Sequence, residues 1–240
     1  YRHYVAAFQH YTRIVARQIE SVLEALYSTP AGKNTIVIVL ADHGDGMGSH
    51  RMVTKQVSFY EEMTNVPFII AGPGIHPRQK PVEDLLTQPT IDLLPTLCEL
   101  AGIPVPSSKP GISLAPFLKG EKQKRQHPYA ASEWHSEYEV TVSPGRMIRS
   151  PRYKYTHYLE GNGEELYDML KDKGERRNLA HDPKYSKILA EHRALLDDYI
   201  RRTQDDYRSL KVEADKRWRS HAPGYPNHEG PCARDIINRK

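Results

Sequence analysis

Apolar positions Phe8, Tyr11, Val15, Ile19, Val22 and Leu26 step by three and four residues, the stripe of an amphipathic helix. Ser28 to Asn34 contains Pro30 and Gly32 and ends that helix. The pattern then changes. Thr35-Ile-Val-Ile-Val-Leu-Ala41 is apolar and β-branched along its length, as expected of a strand buried on both faces in a parallel sheet. A second run of this kind, Val66-Pro-Phe-Ile-Ile-Ala71, stops at Gly72-Pro-Gly74. Thr90 to Leu100 reads as a helix capped by Thr90 and closed by Gly102, with Pro95 inside it and Cys98 expected as a small buried thiol. Helix, strand, polar loop, short helix, strand is α/β wiring with crossover connections.

The texture shifts after the charged break from Lys119 to His127. Arg146-Met-Ile-Arg149 and Arg152-Tyr-Lys-Tyr-Thr-His-Tyr158 alternate with period two. Gly161-Asn-Gly163 is a turn signal, and Glu165-Leu-Tyr-Asp168 reads as the returning strand. A long helix is predicted over Lys184 to Leu210, with Ile188, Leu189, Leu195, Leu196, Tyr199 and Ile200 inward. Trp218 to Lys240 is a polar tail rich in proline and glycine. The expected organisation is therefore an α/β region over 1–120, a small antiparallel α+β subdomain over 121–212 packed on a helix, and a polar tail over 213–240.

Composition narrows the function classes. Among 240 residues, 34 Lys+Arg against 30 Asp+Glu leave a net charge of +4, too mild and too scattered for a nucleic-acid partner. No apolar run approaches the roughly 18 residues of a membrane span. Two cysteines, Cys98 and Cys232, exclude a disulfide scaffold and most zinc frameworks. Tyr1 opens the chain almost inside a helix, so the sequence reads as part of a longer protein whose N-terminal portion, with any targeting signal, lies outside it.

The candidate chemistry sits at the end of the first apolar run. Ligands of open α/β sheets bind at the carboxyl ends of strands, and Asp42-His-Gly-Asp-Gly-Met-Gly48 follows Ala41 directly. Asp42 offers a hard oxygen and His43 a nitrogen, both usable by a divalent cation. Adjacent ligands share one metal only across a sharp bend, which the glycines permit. On spacing alone, a glycine-rich turn in which Asp42 caps the next helix explains the same residues. Lys55, thirteen residues after Asp42, could place a point charge on a metal-bound anion, or could simply be solvated. His50 in the same loop could donate to an anion or a leaving group, or be a satisfied surface histidine.

Ile36-Val-Ile-Val-Leu-Ala-Asp-His-Gly-Asp45, Gly48-Ser-His50, Lys55, Tyr60-Glu-Glu62 and Val66-Pro-Phe-Ile-Ile70 together resemble a characteristic block of the sulfatase family, within the alkaline phosphatase superfamily. Tyr4 to Leu26 resembles the helix before that block, with Thr12 and Ala16 where Asp and Gly are usual. Gln88 to Leu97, Ala101-Gly-Ile103, Gly111-Ile-Ser-Leu114, Arg146-Met-Ile-Arg149, Tyr153-Lys-Tyr155, Glu165-Leu-Tyr-Asp168 and Asn178-Leu-Ala180 continue it in family order.

This resemblance implies the C-terminal part of an alkaline-phosphatase-like, mostly parallel sheet with flanking helices, plus a small antiparallel subdomain. It implies a sulfuric ester hydrolase acting on a sulfated sugar or another sulfate ester, with periplasmic or secreted location. By position, Asp42 and His43 would ligate a divalent metal, calcium first and magnesium, manganese or zinc as alternatives. Lys55 and His50 would be catalytic. The family's formylglycine nucleophile arises in a Cys/Ser-x-Pro/Ala-x-Arg motif that this sequence lacks, so it is expected in an N-terminal half, the implied partner. The isolated chain is accordingly expected to be inactive. Trp134, His135 and Arg146 are candidate substrate contacts, although Trp134 also suits a core and Arg146 a surface strand. Alternative readings are a phosphodiesterase or phosphonate monoester hydrolase of the same superfamily, and a non-catalytic sugar-binding or scaffold protein.

Overall fold

The computed structural model describes residues 2–52, 58–83, 85–107, 110–123, 127–134, 144–159 and 163–210. Lys55, His135 and the 213–240 tail lie outside the described residues. The chain divides into two compact units, Tyr1–Ala131 with Arg149–Arg152, and Ser132–Ile148 with Tyr153–Lys240.

The first unit begins with α1 (Arg2–Tyr27), the helix predicted from the apolar stripe. It buries none of its residues; Tyr11 and Val22 stay 66% and 67% exposed. Two short strands follow, β1 (Val37–Leu40) and β2 (Phe68–Ala71). They pair antiparallel, Val37 opposite Ala71 and Leu40 opposite Phe68. This corrects the expectation of parallel neighbours. The four-residue helix α2 (Glu61–Thr64) lies between the strands, and its end comes back to the loop after β1, where Gly44 N–H donates to the Met63 carbonyl at 2.9 Å. The chain thus re-enters the sheet from the end at which it left. Nor is either strand buried on both faces as expected: Leu40 and Ile69 are 42% and 59% exposed, so the continuous apolar run foretold neither full burial nor direction.

Helix α3 (Pro89–Leu100) is held by a buried carboxylate. Asp92 is 0% exposed and accepts from the Gln88 amide (2.7 Å), the Ile112 amide (2.8 Å) and His127 Nε2 (2.7 Å). Asp92 thereby satisfies the amide of Gln88, where the helix starts, two residues before the expected Thr90 cap. Thr96 Oγ1 accepts from Leu114 N–H at 2.9 Å and ties the same segment to α3. Pro95 leaves the Ile91 carbonyl without its helical donor. Gly111 (φ +115°) backs onto that carbonyl so closely that a Cβ would stand 2.1 Å from its oxygen. Cys98 is half-buried rather than buried; it lines an apolar cavity of about 280 Å³ with Ile36, Leu97, Leu100, Ala101 and Ile103. Helix α4 (Ala115–Leu118) follows.

The second unit is built on a four-stranded sheet in the order β3 (Ala130–Trp134), β4 (Gly145–Arg149), β5 (Tyr153–Tyr158), β6 (Gly163–Asp168). β5 and β6 pair antiparallel from Tyr153 opposite Asp168 to Tyr158 opposite Gly163, as period-two alternation predicted. Asn178 serves both edges of the next turn: its Oδ1 accepts from Leu166 and Ala180 amides, and its Nδ2 donates to the Glu164 carbonyl. Helix α5 (Ser186–Thr203) buries Leu189, His192 and Leu196. It stops seven residues short of the expected Leu210, because Gln204 turns left-handed (φ 55°) and Asp205 N–H closes onto the Ile200 carbonyl. Among the described residues, no helix is long and apolar enough to cross a membrane.

Candidate functional site

The loop after β1 carries the site candidates of the first unit. Its path depends on Gly44: a Cβ there would meet the Glu62 carbonyl oxygen at 1.8 Å, so only glycine lets the loop lie against α2. Immediately before it, Asp42 and His43 present their side chains outward, 89% and 41% exposed. Asp42 Oδ1 accepts the His43 amide at 3.0 Å, and Asp42 Oδ2 stands 3.6 Å from His43 Nε2. His43 Nδ1 lies 2.8 Å from the Gly44 carbonyl. A carbonyl only accepts, so Nδ1 carries a proton, which leaves Nε2 as the ring atom that could ligate a metal.

That donor set fits part of a divalent-metal site. An oxygen and a nitrogen 3.6 Å apart suit neighbouring positions on one cation with bonds of about 2.0–2.4 Å. Among the described residues, no group of three His, Cys, Asp or Glu side chains could hold a metal, so the pair would be two ligands of a set completed from elsewhere.

His50 occupies the far side of the loop. Its ring lies flat on Tyr60, with centroids 3.6 Å apart, and its Nε2 is 3.9 Å from Glu62 Oε2. Glu61 faces Arg149 Nε at 3.8 Å. Tyr60 and Glu62 were visible in the sequence only as neighbours in a motif; their service to His50 is a tertiary fact. Asp45, whose Oδ1 accepts from Tyr4 OH at 2.5 Å and from Met47 N–H at 2.9 Å, had no sequence signal for that role. The bond to Asp45 and its negative charge push the Tyr4 phenol up to about 12.

In the second unit the structure gives Arg146 an internal task. It is 3% exposed, pairs through Nε and Nη2 with Asp205 (2.6 and 2.9 Å), and donates through Nη1 to the Trp134 and Gly145 carbonyls (both 2.8 Å). Its guanidinium also lies over the Tyr207 ring, 4.5 Å from the centroid. Burial opposes its charge, but Asp205 outweighs that and raises its pKa above the ordinary value. Four of its five N–H groups are thereby spent inside the unit. Trp134 is half-buried, and its indole N–H has no hydrogen-bond partner among the described residues. Preceding it, Glu133 accepts from Tyr199 OH of α5 at 2.5 Å. Trp134 and Arg146 are thus brought together, with Arg146 holding the Trp134 backbone.

Comparison with known proteins finds sulfatases. The family model described as N-sulphoglucosamine sulphohydrolase, C-terminal, matches residues 48–202. Delta 4,5-hexuronate-2-O-sulfatase of Bacteroides thetaiotaomicron is 76% identical over 240 residues, 100% of this chain and 50% of that protein. A solved 2-O GAG sulfatase superposes with a TM-score of 0.89 at 76% identity, covering 98% of this chain and 51% of that one. A phosphonate monoester hydrolase of Agrobacterium radiobacter superposes with a TM-score of 0.64 at 26% identity, covering 76% of this chain and 38% of that one. The chain spans about half the length of the first of these relatives.

Proposed function

The chain belongs to the sulfatase family, and we propose that the protein containing it is a sulfuric ester hydrolase that removes the 2-O-sulfate of an unsaturated uronate in a glycosaminoglycan-derived sugar. The observation that carries this reading is the 76% identity with a hexuronate 2-O-sulfatase, which extends over all 240 residues. An alkaline-phosphatase-like α/β fold with a smaller antiparallel subdomain accords with it.

In this reading the chain supplies part of a site, and the formylglycine nucleophile comes from an N-terminal half. Asp42 and His43 would hold a divalent cation, calcium first, and that cation would supply Lewis-acid polarisation of the sulfuryl oxygens. Lys55 neutralises a non-bridging oxygen as charge develops. His50, laid flat on Tyr60 and faced by Glu62, keeps a proton available for the departing sugar oxygen. Net turnover breaks one S–O ester bond; water provides the hydrogen of the freed hydroxyl and the added oxygen of sulfate.

The test uses a fusion of this chain behind the N-terminal half of the Bacteroides thetaiotaomicron relative. Inorganic sulfate release is followed from an unsaturated 2-O-sulfated disaccharide, beside a 6-O-sulfated glucosamine and a phosphonate monoester. Selective release of the 2-O-sulfate, lost on chelation and in Asp42→Ala, is the expected result. Faster hydrolysis of the phosphonate would move the protein to the other branch of the superfamily. A folded fusion that turns over none of the three and retains no metal would mark a scaffold.

A further inference from the structure

The ligand pair sits on a loop whose backbone is held in an unfavourable path. Met47 (φ 48°), Gly48 (φ 91°), His50 (φ 50°) and Arg51 (φ 64°) all lie on the left-handed side, which residues with a Cβ avoid. Such a path persists only where the surroundings over-determine it. Several clamps are backbone bonds made locally or to α2: Gly44 N–H to the Met63 carbonyl, Ser49 N–H to Gly46, and Gly48 N–H to Met52.

Another clamp comes from a distant element. Asp45, two positions past His43, bends the loop by accepting the Met47 amide, and the same Oδ1 accepts the hydroxyl of Tyr4, 41 residues earlier in the first turns of α1. Asp45 is half-buried while Asp42 and His43 are exposed, so the contact anchors the loop just behind the outward-facing pair. A phenylalanine would fill the same space and lack the donor.

We propose that Tyr4 is a positioning residue for the Asp42–His43 pair, acting through its hydrogen bond to Asp45. The inference rests on the reading of that pair as metal ligands. It concerns a residue of the exposed helix α1, where the loop's own sequence carries no pointer to it.

The fusion protein described above serves for the test, with Tyr4→Phe, Asp45→Asn, the double variant and Asp42→Ala. Amide hydrogen exchange over residues 44–52 is measured without metal, and affinity for calcium alone is measured by calorimetry. Tyr4→Phe should speed exchange across the loop by at least about fivefold and weaken calcium binding by about three- to tenfold, below the roughly 10–100-fold typical when a direct partner of a ligand is lost. The melting temperature should scarcely move, and the double variant should bind calcium no more weakly than Asp45→Asn alone. Wild-type exchange and affinity in Tyr4→Phe overturn this inference alone. Asp45→Asn that abolishes binding while Tyr4→Phe leaves it intact also overturns it, by making Asp45 a ligand. Asp42→Ala that binds calcium like the wild type overturns the ligand reading and the inference with it.

Discussion

Replacing Arg146 by alanine separates two roles that its position in the sequence leaves open. Its guanidinium makes two bonds to Asp205 and one each to the Trp134 and Gly145 carbonyls, and Asp205 itself is only 10% exposed at its side chain. Truncation therefore leaves a carboxylate and two carbonyls poorly solvated, and it removes the cation over Tyr207. Breaking one half of a buried ion pair costs about 3–5 kcal/mol, because the remaining charge stays buried without its partner. We expect Arg146→Ala to lose about that much stability. Urea unfolding followed through Trp134 fluorescence, in a Trp218→Phe background of the fusion protein, reads the change. Removing both partners, Arg146→Met with Asp205→Asn, should recover part of the loss, since no orphaned charge remains. The Asp205 amide bond to Ile200 survives in that variant, so the end of α5 keeps its cap. If Arg146 instead gripped the sugar, the unfolding free energy would stay within about 0.5 kcal/mol of wild type and KM would rise. That outcome would refute the internal role.

Other expectations are as direct. Lys55→Ala should lower kcat/KM for sulfate release by roughly 10²–10³ with an unchanged melting temperature, as for loss of a charge that meets the transition state; a change under about threefold means a solvated lysine. Expressed alone, the chain should self-associate through the exposed α1 stripe, and Val15→Glu with Val22→Glu should reduce this in sedimentation experiments; a monodisperse wild-type monomer contradicts it. His192 donates its Nδ1–H to the Ile188 carbonyl (2.8 Å), and burial holds its pKa below the usual histidine value. The unfolded chain then binds more protons just below pH 6.5, so stability present at neutral pH is lost as pH falls through that region. His192→Leu should flatten that limb of a stability-against-pH curve, and an unaltered slope would remove His192 as its source.

Much of the outline follows from local pattern alone. The steps of three and four predicted α1, period-two alternation predicted β5 and β6, and a continuous β-branched run ending in Asp42-His43-Gly44 located the candidate site. These are legible because periodicity and backbone freedom act over a few residues. Family resemblance then attached a chemistry to the loop.

The decisions left to tertiary structure mostly involve partners distant in the chain. Strand direction was one: the end of α2 is tied back to the loop after β1 through Gly44 and Met63, and an apolar run carries no sign of direction. The fate of Arg146 was another: alternation placed it on a strand, but only folding brought Asp205 and the Trp134 carbonyl to it. The end of α5 was a further one: Gln204 turns left-handed and the Asp205 amide closes onto the Ile200 carbonyl, which the apolar periodicity does not announce. Tyr4 and Asp45 meet across 41 residues, and no local rule links a phenol in a helix to a carboxylate in a glycine loop. Short-range propensity is written residue by residue, whereas the pairing of buried charges and hydroxyls depends on which surfaces the whole chain closes against one another.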